Sequence, residues 1–245
     1  MNDKGYETIF INSEPNMEIF IEFLHSLRYD KVVDNGDATR YTTDKELFEQ
    51  LSRVSQNVEQ PYFIGMYNIG THHGFDSPHF KYGDGKDKVL NRWANYDIWF
   101  GKFFEEFQNN SKYDNTILIV TTDHASYNSP EYIEALNSTQ KTFVSEIPLM
   151  IYFKGVEHQK ISASGRNTLN LTPTVLDLLD YQNEKNYFLG SSLFDSNEVS
   201  NFEMISAIGD IYYKTSVNGV EEIKDINLIS AVKNIQDFYL ISSCR

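Results

Sequence analysis

The chain has 245 residues, with 21 Lys plus Arg against 35 Asp plus Glu, a formal net charge of -14. That balance excludes a nucleic-acid backbone as partner, which needs a basic surface, and a hydrophobic share of 40% with 14% aromatics excludes a disordered chain. The single cysteine, Cys244, rules out an intramolecular disulfide and a cysteine-based zinc cage, and no apolar run is long enough for a membrane span or a secretory leader.

Taken in order, short β-rich runs alternate with longer helical patterns. Tyr6 to Asn12 reads as a strand. Glu18 to Leu27 carries apolar residues at helical spacing, with Pro15 near its start. Lys31 to Asp34 is a short strand. Thr43 to Val54 is a helix with Leu47, Leu51 and Val54 on one stripe, and Thr43 with Glu46 three residues on forms a capping box. Pro61 to Asn68 is a strand that runs into a polar loop, Ile69 to Gly85.

Val89 to Phe107 is the strongest helix, with Trp93, Tyr96, Phe100, Phe103, Phe104 and Phe107 on an expected core face. Thr116 to Thr122 is an apolar, β-branched run of the kind buried on both faces of a parallel sheet. Pro130 to Asn137 is a short helix, Ile147 to Phe153 a strand, and Leu171 to Leu179 a helix whose first turn tolerates Pro173. Met204 to Val217 reads as the first arm of a hairpin, with Asn218-Gly219 as a type I′ turn signal. The pattern is α/β: a mostly parallel sheet flanked by helices, with a small antiparallel C-terminal subregion. The expected division is 1–195 and a β-rich extension, 196–245.

Ligands of an open α/β sheet bind at the carboxyl ends of its strands. Two such ends carry suggestive side chains. Asp123 and His124 follow the strand TILIV. Carboxylate oxygen and imidazole nitrogen suit Zn²⁺ or Mn²⁺ at about 2.0–2.2 Å; the plain alternative is a capping Asp beside a surface His. His72 and His73 follow the strand PYFIGMYN. A histidine there can bond a phosphate or sulfate oxygen or protonate a leaving group; the alternative is a solvated loop. Both loops follow parallel strands whose like ends share one crevice, so a common site is expected. His25 reads as a partly buried helix residue, and His79 and His158 as loop residues without a role. No Gly-x-Ser-x-Gly elbow, Walker loop or dinucleotide fingerprint is present.

The segments DKGYETIFIN, FIEFLHSLRYDKVVD, PYFIGMYNIGTHHGF, YDNTILIVTTDHA, SEIPLMIYFKG, LNLTPTVLDLLDY and YFLGSSLF, in this order, resemble the sulfatase-like part of the alkaline phosphatase superfamily. The likeness is nearest to the lipoteichoic acid synthase and phosphoglycerol transferase group. It covers roughly residues 1–195. The resemblance implies that Asp123 and His124 are a metal pair, with Ala125 where the family usually has Gly. It implies that His72 contacts the substrate phosphate, with His73 as the alternative one register on. The implied ion is Mn²⁺, with Zn²⁺, Mg²⁺ or Ca²⁺ as alternatives, and the implied substrate is a phosphoglycerol-bearing lipid or glycan at the outer face of the cell membrane. A sulfatase or phosphodiesterase of the same fold, or a non-catalytic binding module, are the competing readings. The family's first strand, with its metal-binding carboxylate and its helix presenting a Thr or Ser nucleophile, has no counterpart in this sequence. The expectation is a C-terminal portion that is inactive alone and works with a separate N-terminal fragment.

Overall fold

The computed structural model describes residues 1–139, 144–181, 188–195, 205–216 and 218–243, the last five by backbone only. Tyr187, Met204, Val217 and Cys244, which the sequence reading used, lie outside the described residues. The chain divides into two compact units. The first comprises Met1–Ile119, Tyr127–Lys141 and Ile151–Val156, and the second Val120–Ser126, Thr142–Met150 and Glu157–Arg245.

The first unit is built on a parallel sheet of β1 (Glu7–Ile11), β2 (Lys31–Val33) and β3 (Tyr62–Met66) in the order β2-β1-β3. β1 lies in the middle, and the period of two sends its side chains to opposite faces. Ile9 and Ile11 are fully buried with Leu47, Phe48 and Leu51 of α2 (Asp44–Asn57) and Phe103 and Phe107 of α3 (Lys88–Asn109). Phe10 faces the other way, its ring 5.3 Å from Tyr29, which stacks in turn on Phe63 of β3. Helix α1 (Glu18–Ser26) contributes one buried side chain, Leu24.

The capping box of α2 forms as its sequence signature requires. Thr43 Oγ1 accepts from Glu46 N at 3.3 Å, and Glu46 Oε2 accepts from Thr43 N at 3.0 Å. The core face expected for α3 holds from Tyr96 onward and fails before it. Trp93 is 38% exposed, while Asn91, Arg92 and Asn95 are buried in its place. These polar side chains face the loop after β3 and satisfy its backbone, a demand that hydropathy cannot register. His25 is likewise exposed, not partly buried.

β4 (Leu118–Thr121) and β5 (Leu149–Tyr152) form a two-stranded sheet, with α4 (Pro130–Leu136) between them in sequence. In the second unit, α5 (Leu171–Leu178) is followed by an antiparallel meander of β6 (Ile205–Ile208), β7 (Ile211–Ser216) and β8 (Gly219–Glu222). The run read as one arm from Met204 to Val217 is thus two strands. Gly209, with φ +57°, turns the chain between Ile208 and its partner Ile211. The second turn also shifts by one residue, because Gly219 pairs with Ser216 and belongs to β8. Helix α6 (Ile226–Ser243) was not expected from the sequence. It seats Leu228, Ile229 and Val232 on Ile205, Tyr212 and Ile223, yet leaves Ile226 80% exposed.

Candidate functional site

In the first unit the chain passes from β1 to β2 on one side and then crosses to β3 on the other. The strand order reverses between β1 and β3, a switch point of the kind at whose carboxyl ends open α/β sheets bind ligands. Beyond β1, Asn12 is fully buried and pins the turn: its Oδ1 accepts from Glu14 N at 3.0 Å and its Nδ2 donates to Glu14 O at 3.2 Å. The hydroxyl of buried Ser13 has no hydrogen-bond partner among the described residues. Burial raises the Glu14 carboxyl above its ordinary value, and the facing His72 imidazole offsets part of that rise.

Beyond β3, the His72 ring sits with Nδ1 2.9 Å from His73 O. That bond makes Nδ1 the donor in the neutral ring and leaves Nε2 as acceptor. Phe75 meets the His72 ring edge-on at 6.0 Å and is itself braced by Tyr41 at 4.7 Å. His73 turns elsewhere. Its Nδ1 is 3.6 Å from Glu131 Oε2, and Glu131 Oε1 is 3.5 Å from Arg92 Nη1. The two adjacent histidines are therefore in different surroundings, and it is His72 that faces Glu14.

The loop carrying His72 is held by a buried carboxylate. Asp44, 3% exposed, accepts from Asn68 Nδ2 at 2.6 Å and from Asn95 Nδ2. Asn68 Oδ1 accepts from Gly70 N at 3.0 Å, and Asn95 Oδ1 accepts from Phe80 N at 3.2 Å. Arg92 Nη1 donates to Phe75 O at 2.9 Å. Gly70 approaches so closely that a Cβ there would stand 1.9 Å from Asp44 Oδ1. Burial raises the Asp44 carboxyl, against the lowering by its two amide donors and by His79.

In the second unit, Thr122, Asp123 and His124 follow β4. His124 N donates to Asp123 Oδ1 at 3.0 Å, and His124 Nδ1 lies 2.7 Å from Ala125 O. A ring tied by Nδ1 to a backbone carbonyl presents Nε2 as a ligand atom, the arrangement that orients metal-binding histidines. His124 Nε2 and Asp123 Oδ2 are 3.6 Å apart. Two donors on a tetrahedral ion at about 2.1 Å are about 3.4 Å apart, so the pair fits one edge of such a site. The donor set is short, since no group of three His, Cys, Asp or Glu suited to a metal occurs among the described residues.

Asp123 and His124 line a cavity of about 880 Å³ within this unit. Arg166 lines it too, with Nη1 donating to Ser191 Oγ at 2.6 Å and Nη2 to Asp195 O at 3.3 Å. Sequence reasoning missed Glu14 and Arg166. Glu14 had a usable signal, as a carboxylate three residues past the end of a parallel strand. Arg166 had none, since it reaches Ser191 and Asp195 only through the fold.

A family model described as Sulfatase matches residues 1–181. Among solved structures, the lipoteichoic acid synthase LtaP from Listeria monocytogenes is similar at a TM-score of 0.73 and 15% identity, over 100% of this chain and 71% of that one. A protein in the alkaline phosphatase superfamily from Vibrio parahaemolyticus gives 0.64 at 19% identity, over 90% of this chain and 58% of that one. Comparison with curated proteins gives no match. The fold is that of the sulfatase-like alkaline phosphatase superfamily.

Proposed function

Since the chain belongs to the sulfatase family, we propose that it serves metal-assisted transfer of a phospho-group, with a phosphoglycerol-bearing lipid or glycan of the cell envelope as the substrate class. The observation that carries this reading is the Asp123–His124 donor pair at the end of β4 in a chain whose whole length follows the LtaP fold. The extracytoplasmic face of the membrane is the matching location; among the described residues no helix is long and apolar enough to cross a membrane.

In this reading Asp123 and His124 hold a divalent ion, Mn²⁺ by preference, with Zn²⁺, Mg²⁺ and Ca²⁺ as alternatives. Such an ion, when bound, stabilises charge on phosphoryl and nucleophile oxygens. The chain's own residues hold and move protons. His72, its Nδ1 tied to His73 O, gives or takes a proton at Nε2 toward a phosphate oxygen. Glu14 faces it, with a carboxyl that burial raises and the His72 charge lowers in part. His73, paired with Glu131, fixes the loop and is the second choice for the substrate contact.

No covalent hydroxyl is assigned. Thr43 and Ser129, the hydroxyls at helix N-caps, are engaged by Glu46 N and Tyr132 N. The proposed chain therefore works with a nucleophile from a further segment, such as a separate N-terminal fragment. The family model's description favours a second reading, a sulfatase or phosphodiesterase hydrolase. Titration calorimetry with Mn²⁺ and turnover of bis(p-nitrophenyl) phosphate, with water or glycerol as acceptor, test both. The expected result is weak Mn²⁺ binding lost in Asp123→Ala and no turnover by the chain alone. Turnover that Asp123→Ala abolishes would reveal a nucleophile within this chain. Mn²⁺ binding unaffected by Asp123→Ala and His124→Ala would end the metal-site assignment.

A further inference from the structure

His72 is exposed, so water competes for both nitrogens of its ring. Two neighbours in its own turn hold the ring against that competition. His73 offers its carbonyl, 2.9 Å from His72 Nδ1, and Phe75 meets the ring edge-on at 6.0 Å. The turn itself is lightly closed. Phe75 N donates to His72 O at 3.4 Å, and Gly74 between them takes φ +90°, a left-handed value that glycine adopts without strain. A turn closed by one long bond needs a hold from outside.

Both neighbours lead to one ion pair. Arg92 of α3 donates from Nη1 to Phe75 O at 2.9 Å, and the same Nη1 is 3.5 Å from Glu131 Oε1 of α4. The other carboxylate oxygen of Glu131, Oε2, is 3.6 Å from His73 Nδ1. Among the described residues Glu131 is the one carboxylate within ion-pair reach of Arg92. The Arg92 side chain is 5% exposed, and its buried Nε has no hydrogen-bond partner among the described residues. A buried guanidinium with an unmatched N–H is a costly way to bond one carbonyl. The same loop uses a neutral amide for the same purpose at Gly85, whose O accepts from Asn91 Nδ2 at 2.8 Å. What the charge adds at Phe75 is strength, since a bond from an ionised donor is roughly twice as strong as a neutral one. Through Glu131 it adds a second hold, on His73.

We propose that the Arg92–Glu131 pair is a positioning device for His72: by holding Phe75 and His73 it keeps Nδ1 on the His73 carbonyl and leaves Nε2 as the acceptor of the ring. The inference rests on the proposed function for the proton role of His72 and adds the residues that select which nitrogen performs it. Arg92 and Glu131 are positioning residues, acting through Phe75 and His73. The pair also gives α4 a task, because its first turn carries Glu131 to the loop, with Ser129 Oγ accepting from Tyr132 N at 3.2 Å at the cap.

The test is long-range ¹H–¹⁵N NMR of the imidazole rings in the full chain, at a pH where they are neutral, with the His72 signals assigned by their loss in His72→Gln. The parent ring should be mainly the Nδ1–H tautomer. In Arg92→Met the ratio of Nδ1–H to Nε2–H should fall by about two- to twelvefold, the equivalent of the roughly 0.5–1.5 kcal/mol of one neutral hydrogen bond. Arg92→Lys, which keeps the charge, should retain more of the ratio than Arg92→Met. A purely structural role would lower the urea midpoint and leave the ratio alone, as Tyr113→Phe should do by removing a buried hydroxyl shared with Ser55 and Glu106 at the far ends of α2 and α3. If far-UV circular dichroism shows that Arg92→Met does not fold, Glu131→Gln breaks the pair from its more exposed side and should lower the ratio in the same direction. A parent ring that is mainly Nε2–H overturns the inference, as does a parent ratio retained in folded Arg92→Met or in Glu131→Gln. Inorganic phosphate should shift the parent's His72 Nε2 signal. Absence of that shift removes the phosphate contact of the proposed function and leaves the positioning by Arg92 and Glu131 standing.

Discussion

Replacing Asp44 by Ala isolates the network that holds the His72 loop. The substitution deprives two amides of their acceptor, Asn95 Nδ2, which is 1% exposed as a residue, and the half-buried Asn68 Nδ2. A hydrogen bond to a charged group contributes about 1.5–3 kcal/mol, and a buried donor left unmatched costs about 1–3 kcal/mol. Asn95 incurs the full cost and Asn68, nearer water, a part of it, for a gross loss of about 2–5 kcal/mol. Removing a buried carboxylate, whose desolvation outweighs its bonds, returns part of this. The expected net destabilisation is about 1–3 kcal/mol, a sizeable fraction of the roughly 5–15 kcal/mol of a typical domain. Urea unfolding reads the total. Amide exchange reads the mechanism, because Asn68 and Asn95 bond the amides of Gly70 and Phe80 at the two ends of the loop. Those two amides should lose protection well before the β1 amides do. Unchanged stability together with unchanged protection at Gly70 and Phe80 would refute the idea that Asp44 anchors the loop.

Three other outcomes follow from the same geometry. Gly70→Ala should destabilise by at least about 1–3 kcal/mol, since its Cβ would meet the Asp44 carboxylate at 1.9 Å; wild-type stability in urea would show that the loop can move aside. Thr43→Ala should cost about 0.5–2 kcal/mol through loss of the α2 capping box, seen as a lowered urea midpoint at unchanged slope. Asp44→Asn tests the sign of the Asp44 shift. A carboxyl raised in the fold gives stability that is present below the unfolded value of 3.8 and lost as pH rises through the folded value. The variant lacks that loss, so its stability relative to wild type should improve as pH climbs from below 3.8 toward neutrality, and a flat difference between the two would contradict the assignment.

Periodicity and local chemistry were enough to specify much of this protein. The alternation in β1, the capping box at Thr43 and Glu46, and the β-branched run entering β4 are encoded within a few residues and hold whatever surrounds them. The position of Asp123 and His124 just past the end of a strand was legible for the same reason. Hydropathy misread the first two turns of α3, because Asn91, Arg92 and Asn95 are buried to satisfy a loop and not to avoid water. It also missed the break at Gly209 and the helix α6, whose apolar residues follow no single stripe and are sorted by packing on Ile205, Tyr212 and Ile223. The approach of Glu14 to His72 and the anchoring of Arg166 arise between residues far apart in sequence. Spacing along the chain determines which face a side chain takes; only the parallel pairing of β1 with β3, and the meander laid beside α6, decided which of those faces meet.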